Sequence, residues 1–292
     1  LRRKVASAYF SAIDHSRCDK KTKPLHRPDD PPTERTMISR IHSFSAMLFA
    51  LLAVFTGQAV ADLASARQLI VSVAPGWDSK TGRLQRFERV GREWKPVAAP
   101  VAVLYGRNGL AWGRGLLGTD QSGLRKVERD GRAPAGVFRI GKIYTYDSAL
   151  PSGANYPFRT VSRADAWIDD VNHPNYNQHV VVDPANPPAW FEKQKMRHGD
   201  YAYRWLIEIR HNSDPPVPGA GSAIFFHIRR GVVRPSAGCT TMAEGDLVSL
   251  IRWLRADQRP HYALLPQSEY LAKWKDWGLP SPEAAAALVK AR

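Results

Sequence analysis

Residues 223–242 read AIFFHIRRGVVRPSAGCTTM, and the two halves of this stretch ask for different backbones. Ala223–Ile228 is short and dense in aromatic and β-branched residues, which predicts a strand. Side chains alternate across a strand, so Ile224, Phe226 and Ile228 share one face while Phe225 and His227 share the other. A basic loop follows, carrying Arg229, Arg230 and Arg234, and then the small-residue turn Ser236-Ala237-Gly238-Cys239. Beyond Cys239 the period changes. Thr241-Met242-Ala243-Glu244 reads as a capping box, and Leu247, Leu250, Ile251 and Leu254 recur at helical spacing.

Outward from this stretch the chain reads as short strands punctuated by turns. Leu69–Ala74 ends at Pro75-Gly76. Leu84–Val90 and Glu93–Val97 flank Gly91-Arg92, a two-residue hairpin signal. Val101–Tyr105 follows Pro100, the glycine-rich run from Gly106 to Gly123 reads as a long loop, and a strand runs from Ala133 to Tyr146 after a turn at Asp130-Gly131. Residues 165–200 look irregular, an insertion or a lid over a cleft. Trp205, Ile207 and Ile209 alternate with Leu206, Glu208 and Arg210 as in a half-buried strand, and His261–Leu265 is a last strand. Ser281-Pro282-Glu283 opens a short terminal helix. The expected fold is therefore mostly β, a sandwich or barrel with a few short helices.

A segment ahead of this domain predicts that it is exported. Met37 opens a segment with Arg40, an apolar run Ala46–Phe55 and then Ala59-Val60-Ala61, the form of a secretory signal with cleavage after Ala61. That run is short of the roughly 20 residues a membrane span needs. Residues 1–36 are then an upstream leader, either not native or disordered, 37–61 a signal peptide and 62–292 the working domain, exported to the periplasm or cell envelope. Residues 62–292 hold 32 Lys/Arg against 22 Asp/Glu, a balance that suits an anionic wall polymer or lipid headgroup layer and equally serves plain solubility. Export argues against nucleic acid as a partner.

Of the two cysteines, Cys18 and Cys239, only Cys239 survives such processing. A lone cysteine in an exported protein is an intermolecular link, an inert buried residue or a working thiol. A working thiol needs a base or imidazolium partner and donors for an oxyanion. His227 and the backbone of Ala237-Gly238-Cys239 offer both.

These residues resemble the L,D-transpeptidase catalytic domain, also called YkuD. That family's pattern is a His, a spacer, Ser/Thr-His-Gly-Cys and then an Arg or Asn; here it is His227, a spacer and Ser236-Ala237-Gly238-Cys239. Asp130-Gly131-Arg132-Ala133-Pro134-Ala135-Gly136-Val137-Phe138 resembles the family's Gly-x-x-Thr-Pro-x-Gly-x-Phe segment, and the likeness covers roughly residues 100–266. It implies a β-sandwich or barrel with the Cys in a groove, and two-step acyl transfer on peptidoglycan stem peptides through a Cys239 thioester. It implies His227 as base, the Ile228 carbonyl as its orienter, and Gly238 and Cys239 as oxyanion donors. Three departures stand out: Ala237 where a second His is usual, Thr241 where Arg is frequent, and a spacer of only eight residues between His227 and Ser236. Ser236, Arg230 and Arg234 are candidate substrate contacts, the arginines as replacements for the missing one, and Asp169, Asp170 and His173 are further candidates to reach the groove. No cofactor is expected. A metal hydrolase lacks support, since there is no His-Glu-x-x-His and no Cys pair. A papain-like peptidase would place its Cys before its His. Water as acceptor would make the protein an L,D-carboxypeptidase, and an idle wall-binding protein of the same fold is the non-enzymatic alternative.

Overall fold

The structure is a computed structural model and describes residues 62–289, so the expected leader (1–36) and signal segment (37–61) lie outside the described residues. The strands in chain order are β1 (Gln68–Ala74), β2 (Thr81–Val90), β3 (Glu93–Pro96), β4 (Val101–Leu104), β5 (Leu110–Trp112), β6 (Ala133–Thr145) and β7 (Phe158–Thr160). They continue with β8 (Asp165–Trp167), β9 (His179–Val181), β10 (Trp205–Ile209), β11 (Phe225–Ile228), β12 (Thr240–Met242) and β13 (His261–Pro266).

Hydrogen bonding runs β1-β13-β6-β10-β11-β12-β4-β2, and β2 pairs back onto β1, so eight strands close on themselves. Closure leaves no open edge in this ring, and a ring of this size is filled by its own side chains. β3 extends the sheet from β2, while β5 and β7 both lie parallel to the long β6. The fold is mostly β, as the turn-punctuated sequence predicts.

Alternation along β10 and β11 divides the apolar residues between two cores. Ile207, Ile224, Phe226 and Ile228 join the main core with Tyr262, Leu264 and Met242. Leu206 and Phe225 face the other way and join a second core with Tyr144, Val161, Trp167 and Met196. The main core also buries hydroxyls, and these are paired: Ser72 Oγ with Tyr105 OH at 2.7 Å, Thr240 Oγ1 with Tyr262 OH at 3.0 Å. The helix Glu244–Trp253 buries Leu247, Leu250 and Ile251, as its spacing requires.

Four local expectations need correction. Residues 165–200 are not irregular throughout: β8 and β9 form an antiparallel pair, followed by a helical turn at Phe191–Gln194 and a 3-10 turn at Tyr201–Tyr203. The glycine-rich loop contains β5. The capping box does not form, because Thr241 is paired within β12 and the helix is N-capped by Ala243 without a side-chain bond. Ser281 Oγ accepts a bond from Ala284 N–H at 3.2 Å, yet the terminal helix itself is Ala286–Val289.

The second core is roofed by the insertion, and a buried carboxylate ties that roof down. Asp165 is fully buried and accepts from Arg159 Nε, Ser162 N–H (2.8 Å) and His179 Nε2 (2.6 Å). Burial alone would raise its pKa, but these bonds outweigh it and hold the carboxyl at about 2.

Phe226 is fully buried and meets Tyr262 edge-on at 4.6 Å between centroids. Phe226→Ala should therefore cost about 3–5 kcal/mol in denaturant unfolding, whereas Val233→Ala, on an exposed loop tip, should stay within about 0.5 kcal/mol.

Candidate active site

β11 and β12 run parallel, with Phe226 opposite Thr240 and His227 opposite Thr241. Cys239 immediately precedes β12, so it enters beside the start of β11. The faces follow from period two: Thr240 bonds Tyr262 in the main core, and Cys239 and Thr241 point to the face of Phe225 and His227. Diagonal neighbours on adjacent strands are separated by roughly 7–8 Å between Cα atoms; in this resting arrangement His227 and Cys239 bond to different carbonyls, and Cys239 lines the groove while His227 does not.

Cys239 is the free cysteine of the described residues and is partly buried. It opens onto a groove of about 190 Å³. Ala223, Leu206 and Phe225 make the floor, Trp167, Met196 and Tyr203 the roof, and Asp169, Lys193, Gln194, Lys195 and His198 the polar rim.

The turn that presents the thiol is built by Ser236. Its N–H and Oγ both bond the Tyr105 carbonyl, at 2.8 and 3.2 Å. Oγ also reaches the Cys239 carbonyl at 2.6 Å and accepts from Gly238 N–H at 3.0 Å. Gly238 has φ of 151°, and a Cβ there would sit 2.9 Å from the Arg132 carbonyl oxygen. The two motifs thus meet: the Asp130–Phe138 segment is the surface against which the cysteine turn is pressed. Within it, Asp130 accepts from Lys126 Nζ (2.5 Å), Val127 N–H (3.0 Å) and Arg132 N–H (2.8 Å), which fixes the turn.

His227 is buried, and its Nδ1 bonds the Ile228 carbonyl at 2.8 Å. Only a protonated nitrogen can donate to a carbonyl, so Nδ1 carries the proton and Nε2 is left as the acceptor. Tyr203 meets the ring edge-on at 5.1 Å. Arg230 lies over Tyr203 at 4.7 Å and bonds Asp200 at 2.9 Å, so the 3-10 turn is pinned across the histidine. Burial pulls the imidazole down to about 4, and the Ile228 carbonyl only partly opposes this. Burial likewise pushes the Cys239 thiol up to about 11, against the Phe225 N–H and the charges of Lys126 and Arg230. Both groups are neutral at pH 7. The thiol donates to the Ala223 carbonyl at 3.5 Å, and the imidazole proton goes to Ile228.

The acceptor of that thiol proton is itself held in an unusual conformation. Ala223 has φ of 55°, a left-handed value uncommon for a residue with a side chain. Its N–H is captured by Asn177 Oδ1 at 3.0 Å. The same oxygen accepts from Trp167 Nε1 at 3.1 Å, and Asn177 Nδ2 donates to the carbonyls of His211 and Asn212 at 2.9 and 2.8 Å. Asn177 therefore couples roof, floor and neighbouring loop through one buried amide.

The other residues singled out from the sequence are distributed as follows. Gly238 N–H is spent on Ser236. Ser236 is buried with its hydroxyl used inside the turn, so it shapes the site and does not face the groove. Arg230 is committed to Asp200 and Tyr203, Arg234 is exposed, and neither lines the groove. Ala237 is exposed. Asp169 does line the groove, while Asp170 caps a turn at Asn172 (3.0 Å) and His173 packs on Trp190 at 4.9 Å in a separate depression. Sequence reasoning missed Asn177, Tyr203 and the lysines of the rim; nothing local distinguishes them, since each acts through residues distant in the chain. Among the described residues, no group of three or more His, Cys, Asp or Glu is placed to hold a metal.

Two measurements test this geometry. Alkylation of the free protein by iodoacetamide should rise about tenfold per pH unit between pH 7 and 10, following the thiolate fraction of a raised pKa; a plateau below pH 8 would show a preformed thiolate–imidazolium pair instead. Asn177→Asp keeps the shape but replaces the one amide nitrogen that donates to two carbonyls by an acceptor oxygen, and should cost about 2–4 kcal/mol of stability in denaturant titration.

The family profile of the L,D-transpeptidase catalytic domain (YkuD) matches residues 83–262. The match begins inside β2, ends in β13 and contains both motifs. Curated proteins and solved structures gave no match to the chain.

Proposed function

The chain belongs to the L,D-transpeptidase catalytic domain family, whose substrate is peptidoglycan, and we propose that within it this protein is an exported cysteine acyltransferase acting on stem peptides. One observation carries the reading. The lone thiol of the described residues opens onto a groove, on the same strand-pair face as a buried neutral imidazole whose Nε2 is left as an acceptor.

In the proposed cycle, substrate entry turns Cys239 Sγ–H from the Ala223 carbonyl toward His227 Nε2. Sγ attacks the carbonyl carbon of the third, diamino-acid residue of a tetrapeptide stem while Nε2 takes the thiol proton. The C–N bond to the terminal D-Ala breaks, and the departing amine receives that proton. An acceptor amine then attacks the thioester, giving its proton to Nε2; the amide forms and Sγ leaves, reprotonated by the imidazolium. Burial leaves the His227 imidazole unprotonated and so open to a proton at neutral pH, but a pKa of about 4 against a thiol at about 11 makes it a weak base, and the first step requires substrate entry to change the solvation of the pair. The Ile228 carbonyl supports the imidazolium that forms. With Gly238 N–H held by Ser236, the Cys239 N–H is the better candidate oxyanion donor.

Two alternatives share the site. Water as acceptor makes an L,D-carboxypeptidase. The resting bond of Cys239 to Ala223 favours a third reading, an idle peptidoglycan-binding protein of the same fold. Incubating the protein and its Cys239→Ala variant with purified murein and resolving the muropeptides separates them. Cross-linked dimers with released D-Ala, lost by on the order of 10³-fold or more in the variant, are expected. Shortened stems without dimers would indicate the carboxypeptidase, and identical profiles from both proteins would sink the enzymatic reading.

A further inference from the structure

Two lysines line the Cys239 groove, and they stand on a fixed frame. Lys193 and Lys195 both line the groove, against a single acidic lining residue, Asp169. Asp169 makes no ion pair with either lysine; its ion pair is with Arg129, at 4.0 Å. Its Oδ1 accepts from Gln194 Nε2 at 2.8 Å, and its N–H donates to Gln194 Oε1 at 2.7 Å. This reciprocal pair fastens the Phe191–Gln194 turn to the strand end after β8. On the next residues, Lys195 bridges Ala166 and Met196 is buried in the second core. The lysine backbones are therefore set by the roof packing, as a recognition site requires.

Neither lysine is consumed by a strong internal partner. Lys195 pairs with Glu192 at 2.7 Å, but that carboxylate is 75% exposed, and an exposed pair of this kind is readily exchanged for another anion. Among the described residues no ion pair involves Lys193, which is exposed. The same groove is lined by the apolar Leu206 and Phe225, so an anion in it is screened less than one in open water.

We propose that Lys193 and Lys195 form a carboxylate-receiving wall of the Cys239 groove, which selects acyl donors bearing a free carboxylate near the scissile carbonyl over the same donors in amidated form. The proposal rests on the reading of Cys239 as the residue that takes the acyl group, but its physical content, a local preference for anions at the thiol, is measurable without turnover.

Cys239 in the full protein is alkylated at pH 9 with iodoacetate, which is anionic, and with iodoacetamide, its neutral counterpart. The ratio of the two rates cancels the thiolate fraction. It should fall about three- to tenfold in Lys193→Gln/Lys195→Gln, be kept in Lys193→Arg/Lys195→Arg, and shrink with added salt in the native protein. A ratio equal in native and Gln-substituted protein overturns the proposal. In a second arm, KM for a tetrapeptide with free carboxylates should rise about tenfold more in the Gln variant than KM for its amidated form; equal changes also overturn it. If no peptide is turned over while the alkylation ratio still responds, the transferase reading fails and the anion-selective wall stands.

Discussion

The parallel pairing of β11 with β12 governs the chemistry of this fold. It sets His227 opposite Thr241, and with it the diagonal relation of the imidazole to Cys239. A strand has period two, so a slip of one residue would send His227 into the main core or turn Cys239 away from the groove. A parallel pair cannot be joined by a tight turn, so the chain must travel from Ile228 back to the start of β12. The basic loop makes that return. Its far end is not left to chance: Ser236 anchors to the Tyr105 carbonyl through both its N–H and its hydroxyl, and Gly238 presses on the Arg132 carbonyl. Strand register and turn anchoring are thus one device, and the Asp130–Phe138 motif belongs to it as much as the cysteine turn does.

Burial of that device has an electrostatic consequence. Both reactive groups are pushed toward their neutral forms, the histidine down to about 4 and the thiol up to about 11. An ion pair would have made the thiol reactive toward any electrophile. A neutral pair withholds reactivity until something in the groove changes the solvation of Sγ. The arrangement of Ala223 fits such a resting state, because a left-handed residue held by Asn177 offers its carbonyl to the thiol. Asn177 also bonds the roof through Trp167, so a ligand that shifts the roof acts on the same amide that fixes the resting acceptor.

How much of this is legible in the sequence depends on the range of the contact involved. The face shared by Phe225 and His227 follows from alternation alone, and so does the helical stripe of Leu247, Leu250 and Ile251. The Thr241–Glu244 capping box failed because it is a local preference in competition with a strand pairing: once Thr241 is taken opposite His227, Ala243 is left to start the helix. Residues 165–200 read as irregular because their strands are three residues each and their order comes from single buried polar side chains, Asp165 with Arg159, Ser162 and His179, and Asn177 with partners as far away as Asn212 and Ala223. Ser236 read as a possible substrate contact because a hydroxyl beside a nucleophile has that chemistry; only the register shows its bonds are already spent.

The position of Thr241 connects the two halves of the site. The family resemblance leads one to expect arginine there, facing the same side as the histidine. In this chain Thr241 is 2% exposed and its Oγ1 has no hydrogen-bond partner. A guanidinium placed there would need partners for its donors in a region that leaves even one hydroxyl unpaired, and an unpaired buried charge costs several kcal/mol. The loop arginines do not replace it, because Arg230 is turned onto Asp200 and Tyr203 and Arg234 points to solvent. Positive charge reaches the groove instead from Lys193 and Lys195, on the short turn fastened by Asp169 and Gln194. Under the proposed carboxylate-receiving wall, recognition of an anionic substrate rests on the turn that carries Lys193 and Lys195, where residues can be changed without disturbing the strands that hold the reactive pair.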